Sequence, residues 1–241
     1  MPPLKRTLLS TIPAKDIPRL ARNGEMILKR YRKSSTLYEQ ILLSSRKDVV
    51  SDDLIELVHK MVKAFGMNRL SVKLSELTDF KKSIIEQADT IQSLAKFKLE
   101  KVKETDEAFK KEICTLFCNL DGLNGLTKTN VSLVTFSKTM HFLLPNLFMP
   151  IDRRYTLQFY YADVPFKRDR NMQHMIDTRE KQVECLFQIF EDFRQYAQKH
   201  HEKLNDVITK AKDNSNSHWN RNIPKVIDNI IIGYVTENMK K

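Results

Sequence analysis

An all-α fold is predicted by three observations. Apolar residues recur at helical spacing along most of the chain, only one short stretch alternates as a strand would, and there are five glycines in 241 residues. Tight hairpins need residues that tolerate positive φ, so so few glycines weigh against an extensive sheet. Taken in order, Asp53 to Phe65 carries Leu54, Ile55, Leu57, Val58, Met61, Val62 and Phe65, spaced to form one apolar stripe, with Ser51 and Asp52 as its cap and Gly66 as its stop. Arg69 to Leu77 is the exception. Leu70, Val72, Leu74 and Leu77 alternate imperfectly there, which predicts at most a short strand pair. Asp106 to Leu120 returns to the helical pattern through Phe109, Ile113, Leu116, Phe117 and Leu120, and Asp121-Gly122 ends it. Val131 to Leu144 has the composition of a buried helix, closed by Pro145 because the residue before a proline is pushed out of the α region. Asn146 to Ile151 is a short apolar connection kept extended by Pro150, and a further helix is expected over Arg153 to Tyr161. Val183 to Tyr196 and Ile223 to Val235 complete the set, the last with Pro224 in its first turn. Residues 162–172 and Asp213 to Asn222 read as loops, and the whole chain as one helical unit, of one lobe or two, whose last helix packs back on the body.

No apolar run reaches the roughly 18 to 20 residues of a membrane span. The N-terminus Met1-Pro2-Pro3-Leu4-Lys5-Arg6 lacks the apolar core of a secretory signal, and three cysteines do not make a disulfide framework. Together these predict a cytoplasmic protein with no membrane partner.

The formal charge of +11 is concentrated at the ends of the chain. Residues 1–50 hold eleven Lys and Arg against four Asp and Glu, residues 194–241 hold nine against five, and the middle is neutral. A polyanion such as DNA would therefore meet surfaces built from the two ends, with Lys29, Arg30, Arg32 and Lys33 as the densest cluster. A solvated basic face without a partner accounts equally for the charge.

Chemistry is concentrated in Phe136 to Tyr155. Between Thr129 and Ile151 the one charged residue is Lys138, and Asp152 follows at the end of the apolar segment. An ammonium and a carboxylate kept near a core need a structural partner or a chemical task. Asp152 stands where its side chain would accept hydrogen bonds from free amides at the next helix start, which would hold its pKa down.

The order helix, hairpin, helix, lysine, apolar segment, proline and aspartate resembles the helix-hairpin-helix DNA glycosylases. More closely, Ser137-Lys138, His141-Phe142-Leu143, Pro145, Leu147-Phe148 and Asp152 are similar to a group of uncharacterised prokaryotic proteins ascribed to that fold (8-oxoguanine glycosylase-like), which end in a helix like Lys225-Val226-Ile227-Asp228-Asn229. The resemblance spans about residues 106–161 and the terminal helix. It implies a helical body whose cleft takes DNA and a flipped base, with Asp152 as the catalytic carboxylate that stabilises the cationic sugar or activates water. In the strand-cutting subgroup a lysine amine attacks the sugar carbon, the part Lys138 would take, and apolar surroundings favour the neutral amine this requires. The family hairpin, whose glycines let amides approach a phosphate, corresponds to Leu120-Asp121-Gly122-Leu123-Asn124-Gly125. With it, Lys128, Arg153 and Arg154 are the expected nucleic-acid contacts beside the basic cluster. The four-cysteine iron–sulfur motif of one branch is absent, so neither cofactor nor metal is expected.

Each candidate also has a plain structural reading. Asp152 can be a helix cap paired with Arg153 or Arg154, and Lys138 can extend along the core edge. His141 on an apolar helix can be a satisfied core histidine, Cys114 and Cys118 buried thiols, and Tyr155, Phe159, Tyr160 and Tyr161 core aromatics. A non-enzymatic nucleic-acid binder, or a helical interaction protein with an unknown partner, is the corresponding functional alternative.

Overall fold

The computed structural model describes residues 7–29, 32–65, 68–69, 72–103, 107–123, 132–161, 178–215 and 217–238. Among them are eleven α-helices: α1 (Ile17–Leu28), α2 (Arg32–Ser44), α3 (Asp52–Ala64), α4 (Leu77–Ile85), α5 (Ala88–Ala95), α6 (Glu107–Asn119), α7 (Ser132–Leu143), α8 (Thr156–Tyr160), α9 (Arg179–Lys199), α10 (His201–Lys212) and α11 (Ile223–Asn238). The all-α class holds. The strand-like stretch supplies only a two-residue antiparallel pairing, Asn68 opposite Lys73 and Arg69 opposite Val72.

The centre of the body is α11. Isoleucines 227, 230 and 231 are fully buried, and Lys225, Asp228 and Asn229 are buried with them, because α1, α8, α9 and α10 pack around this helix. Each buried isoleucine contributes about 1.5–3 kcal/mol relative to exposure. The most extensive of these contacts is with α1, whose buried residues Ile17, Leu20, Ala21, Gly24, Glu25 and Leu28 follow one helical stripe. Backbones meet there. A Cβ on Gly24 would touch the Asn229 carbonyl, and one on Gly233 the Leu20 carbonyl. Side-chain-free positions on both helices are what allow this approach. The α9 stripe anchors the N-terminal segment, since Asp192 Oδ2 accepts from the Leu9 amide at 2.9 Å and the Tyr160 hydroxyl at 2.8 Å.

Three sequence expectations shift. Ser51 occupies the cap position of α3 without a side-chain capping bond, and Gly66 lies outside the described residues. After α6 the chain adds a 3₁₀ turn over Leu120–Leu123 rather than stopping at Asp121-Gly122. The helix expected from Arg153 begins instead at Thr156. The Asp152 side chain explains the delay. Its Oδ1 accepts from the Arg154 amide at 2.7 Å, and the Thr156 hydroxyl accepts from the Asp152 amide at 3.0 Å, so local side-chain bonds hold 153–155 in a turn that competes with helix. The loop expected over 162–172 lies outside the described residues.

Candidate functional site

Lys138 and Asp152, fourteen residues apart, meet. The apolar run makes α7 a buried helix, Pro145 ends it, and the chain doubles back through Phe148 to Ile151 along the same helix. Ser137 fixes the register: its Oγ accepts from the Ile151 amide at 3.1 Å and donates to the Val134 carbonyl at 3.2 Å. The next residue on each side of this turn is therefore brought opposite its partner, and Lys138 Nζ donates to Asp152 Oδ2 at 3.0 Å. The two ends of the pair differ in exposure. The lysine side chain is 6% exposed and the aspartate 32%, so the carboxylate is the end that faces solvent. Burial pushes the Asp152 carboxyl up, but the Lys138 ammonium and the Arg154 and Tyr155 amides outweigh it and hold the group below its usual value. The plain structural readings change accordingly: Asp152 is not the cap of α8 and is paired with Lys138 rather than with Arg153 or Arg154, its Oδ1 serving the backbone turn and its Oδ2 the lysine.

The sign of this shift fixes a pH dependence. A carboxyl held below its ordinary 3.8 stabilises the fold fully above that value, and the stabilisation disappears as pH falls through the lower folded-state value. The stability difference between wild type and Asp152→Asn, followed by urea unfolding, is expected to be constant near neutrality and to shrink once pH drops below 3.8.

A second charge pair stands behind the first. Lys225 Nζ donates to Asp228 Oδ2 and, at 2.8 Å, to Asn229 Oδ1, all three residues being buried. Rings link the two pairs. Lys138 Nζ lies 5.8 Å from the Phe65 ring centre and Lys225 Nζ 5.8 Å from that of Trp219, and the two rings meet edge to face at 5.6 Å. Burial pushes the Asp228 carboxyl up and Asp152 adds to this, against the pull of Lys225 and Lys138.

The loop that carries Trp219 is held by Glu25. Its carboxylate accepts from the Ser217 hydroxyl at 2.7 Å, the His218 and Trp219 amides at 2.7 and 2.8 Å, and the Asn220 side-chain amide at 2.9 Å. Asn222 then caps α11 by accepting from the Lys225 amide at 2.9 Å, while its Nδ2 donates to the Tyr38 hydroxyl at 2.8 Å. The chain continues to His141, whose Nδ1 donates to the Phe148 carbonyl at 2.7 Å, which leaves Nε2 to accept from Tyr38 at 3.2 Å. Burial above all, with a contribution from Lys225, pushes the His141 imidazole down to about 3 against the Phe148 bond. It stays neutral at physiological pH, so its part is to fasten α7 to α2 and the Trp219 loop.

The remaining sequence candidates are dispersed. Arg153 and Arg154 are exposed beside Asp152, with the Arg154 guanidinium 5.4 Å from the Tyr155 ring centre. Lys29 is exposed at the end of α1. Arg32 and Lys33 lie in the first turn of α2, and Gly122 in the 3₁₀ turn after α6. Arg30, Gly125 and Lys128 are outside the described residues. Tyr155, Phe159, Tyr160 and Tyr161 are buried, Tyr161 donating to Cys185 Sγ at 3.1 Å. Cys114 and Cys118 are half-buried thiols, and no described group of three His, Cys, Asp or Glu could hold a metal. Among the described residues no helix is long and apolar enough to cross a membrane.

The charge of the chain ends is sorted by the fold. Glu25 is buried, and Glu39 is occupied by Arg221 at 3.2 Å, whereas Lys15, Arg22, Lys29, Arg46 and Lys47 are exposed. One acid of the N-terminal segment, Glu25, is taken inside and Glu39 is paired, while Asp48 is exposed next to Arg46 and Lys47.

Sequence reading missed Glu25, Lys225 and Asp228 as members of this site. The signal was present in each case: Glu25 falls on the apolar stripe of α1 eight residues after Ile17, and Lys225 and Asp228 stand in the first two turns of a largely apolar helix. Comparison of the chain with protein-family models, curated proteins and solved structures finds no match.

Proposed function

We propose that this chain is a DNA-binding protein of the helix-hairpin-helix glycosylase type, in which Asp152 is the working carboxylate of a base-excision centre. The observation that carries the reading is the Asp152 carboxylate itself, ionised by its neighbours, aimed by Lys138 and the 153–155 turn, and part exposed where the lysine is buried. A fixed anion at a partly dry position is suited to stabilising a sugar that becomes cationic as its base leaves. The outward cations of α1 and the α2–α3 connection supply phosphate contacts.

A second reading is nucleic-acid binding without catalysis, for which the outward cations alone suffice. The Lys138 amine is bonded to a carboxylate and is not presented as a free nucleophile, so strand cutting through a Schiff base is not part of the proposal.

The test is excision on labelled duplexes carrying uracil, hypoxanthine, 8-oxoguanine, an alkylated purine or an abasic site, with binding measured in parallel across a salt series. Wild type is expected to release a base from one of them, and Asp152→Asn to lose about 10²–10³-fold in rate while DNA binding is kept. Binding is expected to weaken linearly in log affinity against log salt, as phosphate contacts demand. Salt-dependent binding with no release on any substrate selects the second reading, and no binding at low salt removes both.

A further inference from the structure

We infer that Lys96, Lys98, Lys101 and Lys103 form a phosphate-binding strip through which this chain grips the backbone of a DNA duplex. The inference rests on the nucleic-acid part of the reading above and does not require Asp152 to be catalytic.

Alternation builds the strip. After α5 the chain passes through a 3₁₀ turn over Leu99–Lys101 and continues extended at Val102. Leu99 and Val102 are buried, and Phe97 is half-buried with its ring edge to face against Phe109 at 5.4 Å. With positions 97, 99 and 102 tucked inward, the four lysines between and beside them are all exposed. The middle of the chain is neutral only as a sum, because residues 96–103 hold four Lys against one acid, Glu100.

Two observations separate this strip from an incidental solvated face. Its backbone is fixed: the Leu99 amide donates to the Asn146 carbonyl at 2.9 Å, and the Val102 carbonyl accepts from Arg194 Nη1 at 3.3 Å and Gln198 Nε2 at 3.2 Å. Groups already held in place lose less freedom on binding. The cations are also uncommitted. None of the four lysines is in an ion pair with a described residue, Lys96 lying instead 5.3 Å from the Phe97 ring centre. On the neighbouring helices, Glu191 is bonded to Arg194 and Gln195, Glu107 to Lys110 and Glu112 to Ser93. Glu104 and Asp106 lie outside the described residues.

Size and chemistry select the partner. At no more than about 25 Å end to end, the strip spans less than one turn of duplex, and with a phosphate about every 3.4 Å along each strand four contacts to one backbone are within its reach. Ammonium groups neutralise phosphates without reading bases, so the contact is independent of sequence. An anionic lipid surface fits less well, since the apolar side chains of the strip point into the body and leave none to enter the acyl layer. Asn146, which fastens the strip, begins the connection that ends in Asp152 six residues on, so phosphate contacts and candidate carboxylate share one support.

Binding of a labelled duplex to the full chain, followed by fluorescence anisotropy across a salt series, tests the strip. Wild type is compared with Lys96→Gln/Lys98→Gln/Lys101→Gln/Lys103→Gln and with a control that makes the same change at the exposed Lys60, Lys82, Lys210 and Lys212; thermal unfolding establishes that both variants are folded. The strip variant is expected to lose on the order of tenfold or more in affinity at low salt, and its slope of log affinity against log salt to become shallower by about 2–4, since each phosphate contact contributes roughly 0.9. The control is expected to stay close to wild type at 0.1 M salt, where charges farther than about 10 Å from the bound backbone are screened. In wild type, lysine acylation mapped by mass spectrometry locates the contact without substitution, the duplex protecting the four strip lysines and leaving Lys60 and Lys82 reactive. If the strip variant loses binding although no base is released from any substrate, the excision reading fails and the strip stands. If the strip variant binds with the affinity and slope of wild type, or its four lysines stay reactive in the wild-type complex, the strip is overturned while DNA binding stands. Absence of wild-type binding to DNA, with or without binding to phosphatidylserine vesicles, overturns the strip and the nucleic-acid reading together.

Discussion

Gly24→Ala is expected to destabilise the protein by about 3 kcal/mol, the upper end of the usual range for overpacking. Alanine in a helix interior would otherwise gain nearly 1 kcal/mol over glycine, so the sign of the result reports whether α1 and α11 touch through their backbones. The added methyl would come within 2.7 Å of the Asn229 carbonyl carbon and 2.9 Å of its Cα, atoms that no rotamer change can move aside. Relief requires the helices to separate, which would loosen α1 along its whole buried stripe. For a chain of this size 3 kcal/mol corresponds to a fall in Tm of about 6–12 °C. Thermal and urea unfolding measure it, with Met26→Ala as a control on the exposed face of the same helix. A stabilised Gly24→Ala would show that the close approach is absent.

Glu25→Ala is expected to cost about 3 kcal/mol or more, since each buried donor left without an acceptor costs about 1–3 kcal/mol. Two backbone amides, a hydroxyl and a side-chain amide lose their acceptor together in a place that water does not reach freely. The consequence extends to the candidate site, because these bonds hold the loop on which Trp219 and Asn222 stand. Trp219 is the single tryptophan of the chain, and its emission is expected to shift to the red in Glu25→Ala under native conditions. Glu25→Gln tests the same contact more gently, since it keeps one oxygen and replaces the other acceptor with a donor.

Much of this molecule was legible from spacing. The stripes of α3, α6, α9 and α11 could be read because burial on one face imposes a period near 3.6, and each extends only a few residues beyond its apolar run, where capping and polar turns decide the end. Lys138 and Asp152 stood out because charge is scarce around them. Their contact was not legible, since it depends on how the chain turns between Pro145 and Pro150 and on the Ser137–Ile151 bond that sets the register. The start of α8 was misplaced because an aspartate before a helical pattern reads as a cap, whereas here its side chain bonds two residues on and delays the helix. Asp228 shows a different limit. A charge in an apolar helix can be noticed in a sequence, but that it is buried follows only from the packing of α11 against elements far away in the chain.

That packing has a consequence for how the protein is made. Glu25 and Asn220, which join α1 to the threshold of α11, are separated by 195 residues, or about 10–40 s of translation at ordinary elongation rates. Throughout that interval the nascent chain outside the ribosome carries Ile17, Leu20, Ala21 and Leu28 with no mate to cover them. Closure of the body must await synthesis of its central helix and depends on a contact of very high sequence separation, the kind that forms slowly. During that delay the apolar face of α1 is open to association with other chains.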